Sequence, residues 1–250
     1  MVHMRPQVVA HRGLVDGGGE HTLTSYLAAL DQGAEALECD VRLTADGHLV
    51  CVHDRDLRRT ARSRHLVSTS ELAALADLDV TMLTLRRLLE TVAELPQRVE
   101  LAIETKHPTR YAGLVEKRLV ELLDQFDWLG PDSPVRVMSF SWLALKRIER
   151  MAPDLDVVLL FESPGEWLRS RAVASVDWIA GPDVQALRDH PKAMRRIAEV
   201  SRVHCWTVNT PDEVDRCLDL GVEALITDRP ATVLTHLTRR ERSRDVLDRG

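Results

Sequence analysis

Short β-branched runs recur eight times along this chain, and that count restricts its fold more than any other feature. They lie at 7–11 (QVVAH), 36–41 (ALECDV), 99–104 (VELAIE), 135–140 (VRVMSF), 156–161 (DVVLLF), 176–181 (VDWIAG), 202–208 (RVHCWTV) and 224–228 (ALITD). Helical patterns fall between them at 22–33, 83–95, 111–126, 141–151 and 210–221, several closed by glycine or proline. Strands that alternate with helices pair in parallel, and eight is the number at which such a sheet closes into a (β/α)8 TIM barrel. Periodicity cannot show closure, so a doubly wound open sheet is the competing arrangement. The chain has 250 residues, 44% of them hydrophobic, enough for one barrel. With no linker or low-complexity segment, residues 1–250 read as a single domain, with its core at about 8–233 and a helical tail at 234–250.

One strand-like piece stands outside the count. HLVCVHD (48–54) follows the second strand after only a short TADG turn, and Asp46-Gly47 is a strong hairpin signal. A parallel neighbour needs a crossover of a dozen or more residues, so 48–53 must run antiparallel to its predecessor. A two-residue loop sets His53 opposite Asp40, and a four-residue loop sets it opposite Glu38. Either register keeps His53 on the carboxylate side.

The formal net charge of −6 gives no electrostatic footprint for nucleic acid, and the arginine clusters at 55–64 and 236–244 read as solvated surface. No run approaches the roughly 18 apolar residues of a membrane span. The opening MVHMRPQ has no secretory hydrophobic region, which points to the cytoplasm. The four cysteines, Cys39, Cys51, Cys205 and Cys217, form no CxxC pair and read as buried free thiols.

Barrel enzymes place their chemistry where the C-terminal ends of the strands converge. Here those ends carry His11-Arg12-Gly13, Glu38 and Asp40, Glu104-Thr105-Lys106, Ser139, Trp206 and Asn209, and Thr227-Asp228. Most have ordinary explanations taken singly: a helix-entry turn, an ion pair between Glu104 and Lys106, a core tryptophan, helix caps at Asn209 and Asp228. Glu38 and Asp40 do not. Two inward carboxylates on one strand repel and lose hydration, so they need a cation, a shared proton or basic neighbours. Glu104 on the next strand completes three hard oxygen donors, a set suited to one divalent cation, Mg²⁺ or Ca²⁺, rather than Zn²⁺. His11 and His53 can then serve as general base and general acid, and Arg12 and Lys106 add fixed positive charge. This is equipment for stabilising a phosphoryl transition state.

In their order, HRG (11–13), ECDV (38–41), DGHLVCVHD (46–54), IETK (103–106), MSFS (138–141), WTVN (206–209) and GVEALITDRP (221–230) resemble the motifs of the glycerophosphodiester phosphodiesterases. The resemblance runs from about residue 8 to 233. It implies a (β/α)8 barrel that hydrolyses glycerophosphodiesters, small molecules, to glycerol 3-phosphate and an alcohol. It further implies His11 and His53 as the acid–base pair, Glu38, Asp40 and Glu104 as metal ligands, Arg12 and Lys106 as phosphate contacts, and Trp206 as a wall for the glycerol. A lysophospholipase D-type hydrolase on the same barrel and a non-catalytic barrel binding a phosphorylated ligand are the alternatives. The chain departs from the family at Glu20-His21-Thr22, where Glu-Asn-Thr is usual, which makes His21 a third titrating group near the site. Gly17 to Gly19 read as a flexible loop rather than a phosphate cradle, because no lysine or serine follows at P-loop spacing. The segment 55–82, short here, can form at most a small lid.

Overall fold

A computed structural model describes residues 5–14, 19–79, 81–170, 174, 175 and 177–247. Its sheet contains β1 (Gln7–His11), β2 (Ala36–Leu43), β3 (Leu49–Cys51), β4 (Glu100–Thr105), β5 (Val135–Ser139), β6 (Asp156–Phe161), β7 (Ile179–Pro182), β8 (His204–Cys205) and β9 (Ala224–Thr227). The order β7-β6-β5-β4-β2-β1-β9-β8 follows the chain around a circle, with β3 attached to β2 alone. An open doubly wound sheet would reverse direction at a switch point. Between β7 and β8 the continuous ladder gives way to isolated parallel bridges, Ala180 with Val203 and Asp183 with Trp206, so the eight-stranded barrel is nearly closed.

Helix starts follow local chemistry. Thr22, Thr84, Ser141 and Thr210 each accept a backbone N–H from the first turn of the helices Leu23–Asp31, Leu85–Ala93, Trp142–Met151 and Pro211–Leu220. Thr22 and Thr210 complete reciprocal capping boxes with Ser25 and Glu213. The C-terminal tail continues a helix that begins inside the core, Pro230–Leu247, whose Val233 and Leu237 are buried. Residues 248–250 lie outside the described residues, as do Gly17 and Gly18 of the glycine run.

Side chains that point into the barrel form three tiers. The middle is apolar, made of Val9, Ala36, Ala102, Met138, Val158, Ile179, Ala224 and their neighbours. The floor, at the N-terminal ends of the strands, is an ion network beside a cavity of about 890 Å³. Arg136 donates to Glu100 and Gln7, and Arg202 to Asp156 and Glu223, so these charges are committed to one another. His204 is buried there, 3.8 Å from Glu223, too far for a hydrogen bond. Burial pushes its pKa down to about 4, with the charges of Arg136 and Arg202 acting in the same direction against Glu223.

An unfolded imidazole titrates near 6.5, so below that pH the unfolded chain binds a proton that folded His204 refuses. Stability is therefore expected to climb between about pH 4 and 6.5 and to level above it. His204→Gln should flatten that rise by up to about 3 kcal/mol, read from urea unfolding across the pH series. Parallel profiles for parent and variant would contradict it.

The hairpin is antiparallel as its short turn requires, but its register is neither of the two expected. Gly47 takes φ +87° and Thr44 N donates to His48 O, so the loop has three residues. Val41 then faces Cys51, and Val52 N bonds Asp40 O. Continued one step, this ladder would put His53 opposite Cys39, on the outer side. Instead β3 ends at Cys51, and Arg42 Nε holds the departing chain at His53 O, 2.9 Å away. The excursion that follows packs around its own small core of Val50, Val52, Leu57, Val67 and Leu75. It returns beside its point of departure, where Cys51 N bonds Leu83 O and Val50 bridges Thr84.

Candidate functional site

Strand alternation puts Glu38 and Asp40 on the inner face of β2, and the parallel register aligns Asp40 with Glu104 of β4 and Glu38 with His11 of β1. Glu38, Asp40 and Glu104 are buried, with one oxygen of each within 4.8 Å of the others. His11, Arg12, Glu38, His53, Glu104, Lys106 and Trp206 all line one cavity of about 270 Å³, and Asp40 is fully buried against the same cluster. The eight residues singled out in the sequence thus converge on one place at the C-terminal end of the barrel.

Arg12 enters it by way of a tight turn. Arg12 and Gly13 both have positive φ, and a Cβ at Gly13 would stand 2.5 Å from Ser25 Oγ, so glycine is required there. This turn directs Arg12 N to Glu38 Oε2 at 3.0 Å and its Nε to within 3.0 Å of Asp40 Oδ2. Lys106 Nζ lies 2.8 Å from Asp40 Oδ1 and 2.7 Å from Glu104 Oε1. Proximity does not complete the bonding: Arg12 Nε and Asp40 Oδ1 are buried without an aligned hydrogen-bond partner.

These contacts divide the carboxylates. Burial and the charge of Asp40 raise Glu38 well above the carboxylate range and Glu104 to about 7. Asp40 goes the other way: burial would raise it, but His21, Lys106 and Arg12 hold it well below its ordinary value. Lys106 and Arg12 stay charged despite burial because the carboxylates face them. Three carboxylates against two fixed cations leave one negative charge in excess when all are ionised. A divalent ion would turn that into one positive charge, the complement of a phosphodiester monoanion. The donor set fits such an ion, since it is all oxygen, buried, and includes one unaligned acceptor.

The histidines are held from behind. His11 Nδ1 is 2.7 Å from Asp228 Oδ1, and Asn209 Nδ2 donates to the other oxygen of Asp228. Burial alone would raise Asp228, yet His11 and Asn209 keep it below its ordinary value, so it is an anion that fixes the ring. Neither Asn209 nor Asp228 behaves as the expected helix cap: Thr210 caps the helix Pro211–Leu220, and Asn209 Oδ1 accepts from Thr227 and Asp228. His53 Nδ1 pairs with Asp54, which receives Arg59 Nε, and Arg59 in turn grips Glu20. Burial and the charge of Lys106 lower the His53 pKa.

His21 lies beside the site, as expected, and contacts one of its carboxylates. Its ring is buried, with Nε2 2.9 Å from Asp40 Oδ2 and Nδ1 2.7 Å from the Tyr26 hydroxyl. Nε2 donates to the Asp40 carboxylate, and Nδ1 pairs with the Tyr26 hydroxyl. His21 therefore buttresses Asp40 from below rather than facing the cavity. Trp206 is anchored by its Nε1 to Gly181 O and meets Phe140 edge-on, with ring centroids 5.5 Å apart. Phe140, which falls in the MSFS motif, and Glu162, which carried no signal beyond its position after a strand, also line the cavity.

No helix among the described residues is long and apolar enough to cross a membrane. The model of the Glycerophosphoryl diester phosphodiesterase family matches residues 11–232. A probable glycerophosphodiester phosphodiesterase 1 of Mycobacterium tuberculosis is 43% identical over 246 residues, covering 90% of each chain. A glycerophosphodiester phosphodiesterase of Bacillus subtilis is 31% identical, covering 89% of this chain and 83% of the relative. Among solved structures, a glycerophosphodiester phosphodiesterase from Parabacteroides distasonis superposes with a TM-score of 0.79 at 24% identity, over 95% of this chain and 98% of that one. An Oleispira antarctica phosphodiesterase in complex with the product sn-glycerol-3-phosphate gives 0.78 at 23%, over 93% and 97%.

Proposed function

The chain belongs to the glycerophosphoryl diester phosphodiesterase family, and on that footing we propose that it hydrolyses glycerophosphodiesters to glycerol 3-phosphate and an alcohol. The observation that carries this reading is one cavity in which His11 and His53 flank a buried triad of carboxylates with Arg12 and Lys106. Glu38, Asp40 and Glu104 would hold one divalent cation, Mg²⁺ or Ca²⁺, which when bound polarises the phosphoryl oxygens. Arg12 and Lys106 would bind the phosphate, and Trp206 with Phe140 would receive the glycerol carbons.

On this reading the two histidines divide the proton transfers. We give His11, which shares the cavity with Trp206, the proton of the glycerol 2-hydroxyl, and that oxygen attacks phosphorus to form a cyclic phosphate. His53 borders the opposite mouth and gives its proton to the departing alcohol oxygen. Water then opens the ring with the two roles reversed. Asp228 and Asp54 keep each ring oriented and stabilise its charged form.

We take residues 1–250 as one catalytic unit, since site residues come from β1 through β9. We also assign the protein to the cytoplasm, a reading supported by four buried cysteines with no disulfide among them.

One observation favours a second reading, a lysophospholipase D activity at the same site. A groove of about 560 Å³ lined by Phe140, Trp142 and Phe161 shares Phe140, Leu160 and Glu162 with the cavity, on the glycerol side. Release of glycerol 3-phosphate from a panel of glycerophosphodiesters, with and without EDTA, and of head group from lysophosphatidylcholine, tests both. Turnover of the water-soluble diesters, abolished by EDTA, is expected. Turnover of the lysolipid alone would replace the first reading by the second.

A further inference from the structure

A second groove, of about 380 Å³, continues from the cavity on the side away from Trp206 and shares His53 and Lys106 with it. Its lining includes Arg42 from β2, Arg55 just past His53 and Arg110 from the loop after β4. Among the described residues Asp54 is the only acid on that lining, and it is already engaged by His53 and Arg59. Lys106 is likewise neutralised by Asp40 and Glu104. The three arginines are not: none makes an ion pair among the described residues, and the single side-chain hydrogen bond among them is that of Arg42 Nε to His53 O. Arg59, Arg136 and Arg202, by contrast, each pair with an acid. Three without an ion pair around one groove, Arg42 within the longer-range field of Asp40, Glu104 and Asp54 and the other two on its open side, beside polar Ser68 and Thr109, constitute a built electrostatic preference.

We propose that Arg42, Arg55 and Arg110 form the subsite for the departing alcohol and select an alcohol that carries its own anion, a second phosphate or a carboxylate, over a cationic choline or ethanolamine. The inference rests on the phosphodiesterase reading and on the placement of the leaving group beyond His53. Guanidinium groups suit this task because they stay charged and can grip phosphate or carboxylate oxygens in pairs. Their position past the acid means that they bind the product alcohol and not the phosphorus under attack. Selectivity should therefore appear chiefly in KM, and it should weaken as salt screens the groove.

The test compares two diesters in the full-length, Mg²⁺-loaded protein: bis(glycerophosphoryl)glycerol, whose leaving alcohol bears a second phosphate, and glycerophosphocholine, whose leaving alcohol is a cation. Parental kcat/KM should favour the anionic substrate, and its KM should rise with ionic strength. Arg55 and Arg110 are exposed and outside the reaction centre, so the double variant R55Q/R110Q should fold normally and hydrolyse glycerophosphocholine at least as well as the parent. Its KM for the anionic substrate should rise by about tenfold or more, and the charge-reversed R55E/R110E should prefer glycerophosphocholine outright. An unchanged ratio of the two substrates in both variants would overturn the subsite while leaving the phosphodiesterase reading intact. Hydrolysis of neither substrate by the parent would overturn both.

Discussion

Replacing His11 or His53 by alanine is expected to lower kcat by about 10²–10⁴-fold, the usual contribution of a positioned proton-transfer group. The parental rate should be bell-shaped in pH, because the base must be free and the acid protonated at the same time. His11→Ala should lose the acidic limb and His53→Ala the alkaline one. A diester with a p-nitrophenyl leaving group needs little protonation as it departs, so it should restore His53→Ala selectively and leave His11→Ala impaired. If the rescue went to His11→Ala instead, the roles would have to be exchanged. Parental rates in both variants on ordinary diesters would end the catalytic assignment. Asp228→Asn offers a milder check, since it removes the anion behind His11 while keeping the side chain's shape.

The second large effect concerns the cation. Losing a partner that merely orients a metal ligand typically weakens metal binding 10–100-fold, so loss of a ligand itself should cost about 100-fold or more. Glu104→Gln is the cleanest choice, because its short ion pair is with Lys106 alone. Asp40→Asn would also strand Arg12, His21 and Lys106 around a neutral amide, a change that typically destabilises a buried network by about 3–5 kcal/mol. Titration calorimetry with Mg²⁺ and Ca²⁺ reads the affinity directly, and thermal unfolding separates lost ligation from a lost fold. Full activity in EDTA, or an unaltered affinity in Glu104→Gln, would remove the metal from the site.

The strands that carry this chemistry were legible because they obey two simple periods at once. In β2 the alternation that buries Leu37, Cys39 and Val41 outward commits Glu38 and Asp40 inward, and no structure is needed to see that such a pair requires a cation, a shared proton or basic neighbours. Closure of the barrel was legible only as a count. The approach of His53 was not legible, because it depends on where the β2–β3 ladder stops, and a three-residue loop differs from its neighbours by a single step that inverts every facing side chain. Asn209 and Asp228 were seen but misread, since asparagine and aspartate are also the commonest helix caps and sequence cannot tell a cap from a clamp on histidine. The brace from Glu20 through Arg59 to Asp54 left no trace at all. Arg59, in the short helix Arg58–Ala61, lies 39 residues along the chain from Glu20, and arginine in a charged run gives no hint of which acid it will meet.

The excursion between His53 and Leu83 leaves the barrel and rejoins it at adjacent hydrogen-bonded residues, and it encloses an apolar core of its own. Geometry of that kind makes it an exchangeable cassette. Lengthening a loop whose ends already meet costs only about 0.6 kcal/mol for each doubling, and none of Glu38, Asp40 and Glu104 lies within it. Arg55 does. Recombination at this one junction that keeps Asp54 and Arg59, the supports of His53, is therefore expected to redraw the proposed alcohol subsite while the reacting groups are inherited unchanged, and directed evolution aimed at new head groups has its natural crossover points here.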